Sequence, residues 1–136
     1  MHKIILLIFC GIYMAKCAEH PSWYPENVNE IKKRCAEENN LTPDFGNILT
    51  YEQLANNTNV HAAYLCAAKG FHFYSDDEGL NVDRMIYFFF KTSTKCIRRK
   101  AKECVETHKE VISIGEMIFK LHYCILELFK APETEN

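Results

Sequence analysis

The cysteines constrain the fold of this chain more than any other residue type. Seven occur in the sequence, and Cys10 and Cys17 fall in an N-terminal leader that we expect to be removed. The others are Cys35, Cys66, Cys96, Cys104 and Cys124. In an oxidising compartment, this odd number implies two disulfides and one free or intermolecular thiol. A small secreted domain buries only a modest core, so such bridges are expected to contribute much of its stability.

The N-terminal residues have the pattern of a secretory signal peptide. A positive charge near the start precedes an apolar run at residues 4–14, and small residues then favour cleavage after Cys17, with a cut after Ala18 as the alternative. The run is too short to span a membrane. We therefore expect a signal peptide at residues 1–17, one domain at residues 18–136, and a secreted, extracellular product.

Composition and motifs disfavour nucleic-acid binding and catalysis. The net charge is −2, and no basic stripe is interleaved with aromatic residues. The basic residues between Lys95 and Lys102 are interpreted as a solvated helix face, since nearby glutamates partly offset their positive charge. No serine lies in a Gly-x-Ser-x-Gly turn, and the segment from Cys104 to His108 lacks the adjacent cysteines and metal loop of a secreted phospholipase. We expect no enzyme, no metal site and no cofactor.

The spacing of apolar residues predicts an all-α domain of six helices. The expected helices cover residues 25–39, a short segment opened by Thr42 and Pro43, and then residues 58–69, 82–91, 94–110 and 113–130. Gly70 is expected to close the third helix as a left-handed residue. An acidic loop with a turn at Gly79 should follow it.

The last helix has the clearest pattern. Ser113 and Glu116 match an S-x-x-E capping box. One apolar face follows at helical spacing, formed by Met117, Leu121, Cys124 and Leu128. Gly115 is unexpected in the first turn, because glycine there costs about 1 kcal/mol against alanine and nothing local requires it.

Cys96 is the expected free thiol. It lies eight residues before Cys104 on one predicted helix. That separation is about 12 Å along the axis, whereas a disulfide needs Cα atoms within about 7 Å. Cys104 falls in the apolar stripe, and Cys96 is rotated about 80° from it. The other four cysteines allow three pairings, and the local pattern does not choose among them.

The order of these features along the chain resembles a known family. A signal peptide precedes a first helix with Cys35, and Cys66 is followed closely by a Lys-Gly pair. Asn81 opens a helix after an acidic turn, Cys104 lies 38 positions after Cys66, and the closing helix contains GEMIFKLHYC. In this order and spacing the chain is similar to insect odorant-binding proteins of the PBP/GOBP family, over essentially the whole mature sequence.

The resemblance implies a disulfide pairing. The family usually has six cysteines, bridged first to third, second to fifth and fourth to sixth. The first, third, fourth and sixth correspond here to Cys35, Cys66, Cys104 and Cys124. Ala62 and Gly115 stand at the second and fifth positions, which is similar to the four-cysteine "minus-C" subgroup. The implied bridges are Cys35–Cys66 and Cys104–Cys124, each contributing about 3 kcal/mol. We expect that cysteines introduced at Ala62 and Gly115 would form the third bridge and raise the melting temperature.

The resemblance also implies a function, that of a soluble carrier of small hydrophobic molecules in an internal cavity. Its implied partners are a small hydrophobic organic ligand and a membrane odorant receptor, and the protein is expected to be a monomer or weak homodimer. The helix at residues 85–90 agrees, because it is too apolar for a small domain unless it faces both a core and a cavity. The expected pocket residues are Val28, Tyr64, Met85, Phe88, Phe89, Ile118, Leu121, His122, Ile125 and Phe129.

Polar residues of the predicted pocket could orient a ligand or respond to pH. Tyr64 or His122 could supply a hydrogen bond to a ligand carbonyl or hydroxyl. Titration of histidines could loosen the pocket at low pH, and the candidates are His61, His72, His108 and His122.

The alternative function is a secreted helical signalling or venom-type protein that acts through its surface and has no ligand cavity.

Overall fold

The structure is a computed structural model that describes residues 20–91, 94–111 and 113–130, apart from the side chains of residues 128–130. The predicted signal peptide at residues 1–17 lies outside the described residues. The helices are α1 (Val28–Glu38), α2 (Phe45–Ile48), α3 (Tyr51–Ala55), α4 (Thr58–Gly70), α5 (Val82–Phe90), α6 (Lys95–His108) and α7 (Ile114–Lys130). A two-stranded antiparallel hairpin joins β1 (Tyr74–Ser75) to β2 (Gly79–Leu80). The all-α class is confirmed, and no helix within these ranges is long and apolar enough to cross a membrane.

Side-chain caps explain where several helices begin. The side chain of Asn81 accepts a hydrogen bond from the backbone N–H of Arg84 at 3.0 Å, so α5 starts as the sequence predicts. Ser113 Oγ caps α7 by accepting from the N–H of Glu116 at 3.4 Å. The Glu116 carboxylate pairs with Lys120 at 3.0 Å. Ser113 therefore caps α7 as predicted, and Glu116 forms an ion pair with Lys120 one turn later.

Three local differences from the predicted helices have identifiable causes. Helix α1 begins at Val28 and not at Pro25, because residues 20–27 form a separate segment that packs across the domain. Helix α3 was not predicted, although Thr50 and Gln53 form a complete capping box. The acidic loop forms the hairpin, in which Gly79 has a φ of 75°.

Gly70 does not act as the predicted left-handed helix terminator. It lies within the last turn of α4, and the positive φ of 65° belongs to His72. A Cβ at position 70 would lie 2.6 Å from Cγ2 of Ile31, on α1. Glycine therefore allows α1 and α4 to approach closely.

The core is organised around α7, which packs against α4 on one side and α6 on the other. On α7, Ile118, Leu121 and Ile125 are almost completely buried, together with Met85 and Ile86 of α5. Burying each of these side chains contributes roughly 1.5–3 kcal/mol of transfer free energy. A smaller cluster joins Leu54 of α3, Val60 of α4 and Phe119 of α7.

Two disulfides tie neighbouring helices together. Cys35–Cys66 links α1 to α4 with a Cα–Cα distance of 5.6 Å, and Cys104–Cys124 links α6 to α7 at 6.0 Å. These are the pairs that the resemblance implied. Cys96 is a free and exposed thiol. The two bridges thus join α1 to α4 and α6 to α7, while α4 and α7 are joined to each other by packing.

Gly115 is the residue that lets α4 and α7 meet. A Cβ at this position would lie 2.1 Å from the carbonyl oxygen of His61 and 2.7 Å from its carbonyl carbon. Those atoms belong to the α4 backbone, which cannot move aside as a flexible side chain would. The contact between α4 and α7 is the most extensive between any two described elements. Nothing in the local sequence requires glycine at position 115, but the close contact between α4 and α7 does.

The expected stabilising bridge between cysteines at positions 62 and 115 is wrong for this packing. A cysteine at position 115 would place its Cβ inside the α4 backbone. Ala62 is exposed, whereas Gly115 is buried. A bridge between these positions would first require the two helices to separate, which would disrupt the clusters around Phe119 and Ile118.

Substitution of Gly115 by alanine should destabilise the fold. We expect Gly115→Ala to lower the free energy of unfolding by about 1–3 kcal/mol, the usual cost of overpacking, measured by urea denaturation. Gly46→Ala is the matched control, because a Cβ at position 46 has no neighbour within 4 Å. It should change stability by less than about 1 kcal/mol. Equal stability of the two variants would contradict close contact between α4 and α7.

Candidate functional site

A cavity of about 480 Å³ lies between α1, α4, α5 and the middle of α7, with α2 at its rim. Ala63 and Ala67, one turn apart on α4, form part of its wall. Their short side chains do not fill the space opposite the aromatic residues of α5. The cavity exists because small residues face large ones that pack against each other.

Phenylalanines form the apolar wall. The rings of Phe71 and Phe88 stack with centroids 4.1 Å apart, and Phe73 and Phe89 lie 5.7 and 5.4 Å from Phe88. Phe71, Phe73 and Phe88 are at least 95% buried. Contacts between rings at these distances add about 0.5–1.5 kcal/mol beyond burial. The wall is therefore a rigid aromatic surface, suited to apolar ligands.

One polar pair, Tyr64 and His122, interrupts this wall. Tyr64 Oη lies 3.0 Å from His122 Nδ1, and the imidazole stacks on Phe89 with ring centroids 4.1 Å apart. Burial, with a smaller contribution from the positive charge of Lys32, lowers the pKa of His122 from 6.5 to about 4. Burial also raises the pKa of Tyr64 well above its usual value. Both groups are thus neutral at physiological pH.

A phenol is a better hydrogen-bond donor than acceptor, which favours one direction for the bond between these two neutral groups. In the favoured direction the Tyr64 hydroxyl donates to Nδ1 of His122, and the proton of the neutral imidazole is then on Nε2. Within the described part of the chain, Nε2 makes no hydrogen bond of its own. His122 lines the cavity, so its Nε2–H can donate to an acceptor oxygen of a ligand.

The segment at residues 20–27 packs across one end of the cavity. Tyr24 lines the cavity and stacks on His20 at 3.9 Å and on Phe88 at 5.6 Å. Lys91 Nζ donates to the Tyr24 hydroxyl and, at 2.7 Å, to the carbonyl oxygen of Phe88. His72 Nδ1 donates to the carbonyl oxygen of Trp23 at 2.8 Å. The segment is therefore held to both α5 and the loop that follows α4.

The family comparison agrees with this geometry. The sequence profile of the PBP/GOBP family matches residues 17–127. The chain belongs to the PBP/GOBP family. No curated protein and no solved structure matches the chain in the corresponding searches. The family is one of small carriers of odorants and pheromones, and catalysis is not its activity.

In this PBP/GOBP protein, half of the residues predicted for the pocket line the cavity. They are Val28, Tyr64, Phe88, Phe89 and His122. Met85, Ile118, Leu121 and Ile125 are buried in the core and are not part of the cavity wall, because they pack against one another between α5, α6 and α7. The side chain of Phe129 lies outside the described residues. For these other five, ligand contact stays a prediction.

Sequence reasoning missed several residues of the cavity wall. Phe71 and Phe73 stand in the stretch predicted to be an acidic loop, although two phenylalanines among acidic residues indicate burial. Tyr24 precedes the first predicted helix, so helical spacing gave no sign that it borders the cavity. Lys32 and Lys91 were not singled out, because a charged residue at a helix surface gives no indication of which cavity it borders.

The lowered pKa of His122 should make the stability of the protein depend on pH. In the unfolded chain this histidine binds a proton near pH 6.5, whereas in the folded protein it does so only near pH 4. Between these values the unfolded state binds more protons, so stability falls as the pH falls through this window. The total loss from this group is roughly 3 kcal/mol.

Urea denaturation at several pH values measures this effect. His122→Gln should remove most of the loss between pH 6.5 and pH 4, since glutamine does not titrate. His108→Gln is the control, because His108 lies on α6 and is not part of the cavity wall. It should leave the pH profile close to that of the wild type. A wild-type stability that stays flat over this window would contradict a buried, neutral His122.

Proposed function

We propose that the protein is a secreted carrier that binds a small hydrophobic molecule in the cavity between α1, α4, α5 and α7. The observation that supports this most strongly is the composition of the cavity wall, which combines stacked phenylalanines with the hydrogen-bonded Tyr64–His122 pair. Sites for small molecules are usually about 300–1,000 Å³, mostly apolar, with a few polar groups that fix orientation. The cavity of about 480 Å³ falls within this range.

The finer assignments rest on the family and on the sequence. The ligands are odorants, pheromones or similar semiochemicals, and the signal peptide at residues 1–17 directs the protein to an extracellular fluid. The carrier acts as a monomer or weak homodimer and delivers its ligand to a membrane odorant receptor. Ala62 and Gly115 stand where the resemblance puts cysteines in most of the family, which supports assignment to the four-cysteine subgroup.

Each part of the cavity has a role in ligand binding. Phe88 and Phe89 contact the apolar part of the ligand together with Val28 of α1. His122 Nε2 donates a hydrogen bond to a ligand carbonyl or hydroxyl oxygen, while Tyr64 holds the imidazole in the required tautomer. A ligand oxygen that enters the cavity thereby keeps one hydrogen bond, which offsets part of the cost of leaving water.

Filling the cavity should weaken ligand binding strongly without unfolding the protein. Ala67 lines the cavity on α4, so Ala67→Phe should place a phenyl ring inside it and weaken binding of the fluorescent probe N-phenyl-naphthylamine at least about tenfold, or about 1.4 kcal/mol. Fluorescence titration gives the dissociation constant, and circular dichroism checks that the variant is folded.

Ala62→Phe is the matched control on the same helix. Ala62 is exposed and is not part of the cavity wall, so this variant should bind the probe within about twofold of the wild type. If the wild type does not bind the probe, or if both variants bind it equally well, the carrier proposal fails. The chain would then be better explained as a helical signalling or venom-type protein that acts through its surface.

A further inference from the structure

Two lysines border the cavity in addition to the Tyr64–His122 pair. Lys32 is on α1, and Lys91 immediately follows α5. The acidic residue of the same wall is Asp44, an exposed residue at the start of α2. Because His122 is neutral, the described side chains around the cavity carry a net positive charge. A purely apolar ligand would offer no acceptor to either ammonium group.

Lys32 differs from the basic residues next to it. Lys33 and Arg34 each face a glutamate one turn later on α1, at 4.0 Å for Lys33–Glu37 and 3.8 Å for Arg34–Glu38. No carboxylate of the described residues lies at ion-pair distance from Lys32. Its charge also contributes to the lowered pKa of His122. Of the three consecutive basic residues Lys32, Lys33 and Arg34, Lys32 is therefore the one that faces the cavity.

Lys91 is held in place by its neighbours. It adopts a left-handed conformation with a φ of 57°, which ends α5. Its ammonium group donates to the Phe88 carbonyl and the Tyr24 hydroxyl, and lies 4.4 Å and 4.9 Å from the ring centroids of Tyr24 and Phe88. An ammonium group has three donors. Two are used here, and the third is available to a ligand.

We propose that the cavity selects amphipathic ligands with an anionic carboxylate head, bound by Lys32 and Lys91, and an alkyl chain packed against the phenylalanine wall. This inference rests on the proposed carrier function and specifies its ligand class. Hydrogen bonds between an ammonium group and a carboxylate are about twice as strong as those between neutral groups. A ligand with an ammonium head would face like charges, and a neutral alcohol would forgo the charge-assisted bonds.

Three ligands of equal chain length test the inference by displacement of N-phenyl-naphthylamine at pH 7.5. Decanoate should bind about fivefold more tightly than decanol, and decylamine should bind most weakly. In Lys32→Met the affinity for decanoate should fall by a larger factor than that for decanol, to within about twofold of the affinity for decanol. The preference of the wild type for decanoate should also shrink as salt is added, since both lysines are close to solvent.

Two control variants separate charge from position. Lys33→Met removes the adjacent lysine, which pairs with Glu37 and is not part of the cavity wall, and it should keep the preference for decanoate. Lys32→Arg preserves the charge and should also keep the preference.

Lys91→Met should reduce the preference, although loss of its bond to Tyr24 should also speed the release of every ligand.

The outcomes distinguish this inference from the function on which it depends. If the probe binds but decanoate and decanol bind equally well to the wild type, the carrier function stands and the carboxylate preference is wrong. The same conclusion follows if Lys32→Met weakens decanoate and decanol by the same factor. If the probe does not bind to the wild type, the carrier proposal and the ligand class both fail.

Discussion

The rest of the structure depends on the contact between the backbone of α4 at His61 and Gly115 of α7. Without a side chain at position 115, the two helices approach until a Cβ would lie only 2.1 Å from the His61 carbonyl oxygen. That approach buries Phe119 against Val60 on one side. It also brings Tyr64 of α4 within hydrogen-bond distance of His122 of α7. The polar pair of the cavity is therefore a consequence of how closely these helices cross.

The disulfides and the cavity follow from the same arrangement. Cys35–Cys66 and Cys104–Cys124 fasten α1 and α6 to the two crossing helices. The other face of α4 carries Ala63 and Ala67, which leave space in front of the aromatic side chains of α5. A covalent bond between α4 and α7 is not needed, because apolar burial holds this crossing. A single hydrogen-bonded pair and two lysines then give the apolar space its chemical selectivity.

The sequence predicts those parts of the fold that depend on local patterns or on cysteine spacing. Asn81 and Ser113 cap helices where expected, because a cap needs only nearby backbone N–H groups. The disulfide pairs could be inferred from resemblance to the family but not from helical spacing alone. Only half of the residues predicted for the pocket line the cavity, since apolar residues on α5 and α7 face inward whether they line a cavity or fill a core. The roles of Gly70 and Gly115 could not be predicted, because each depends on an atom of a distant helix.

The central claim is that a hydrophobic ligand binds inside the domain and not on its surface. A heteronuclear NMR titration with decanol, using methyl-labelled alanine, tests it most directly. The methyl signals of Ala63 and Ala67 and the imidazole signals of His122 should shift with a common dissociation constant, while the exposed Ala62 stays unchanged. Shifts confined to exposed apolar residues such as Ile48 and Tyr51, or no saturable shift at Ala63 and Ala67, would contradict the account.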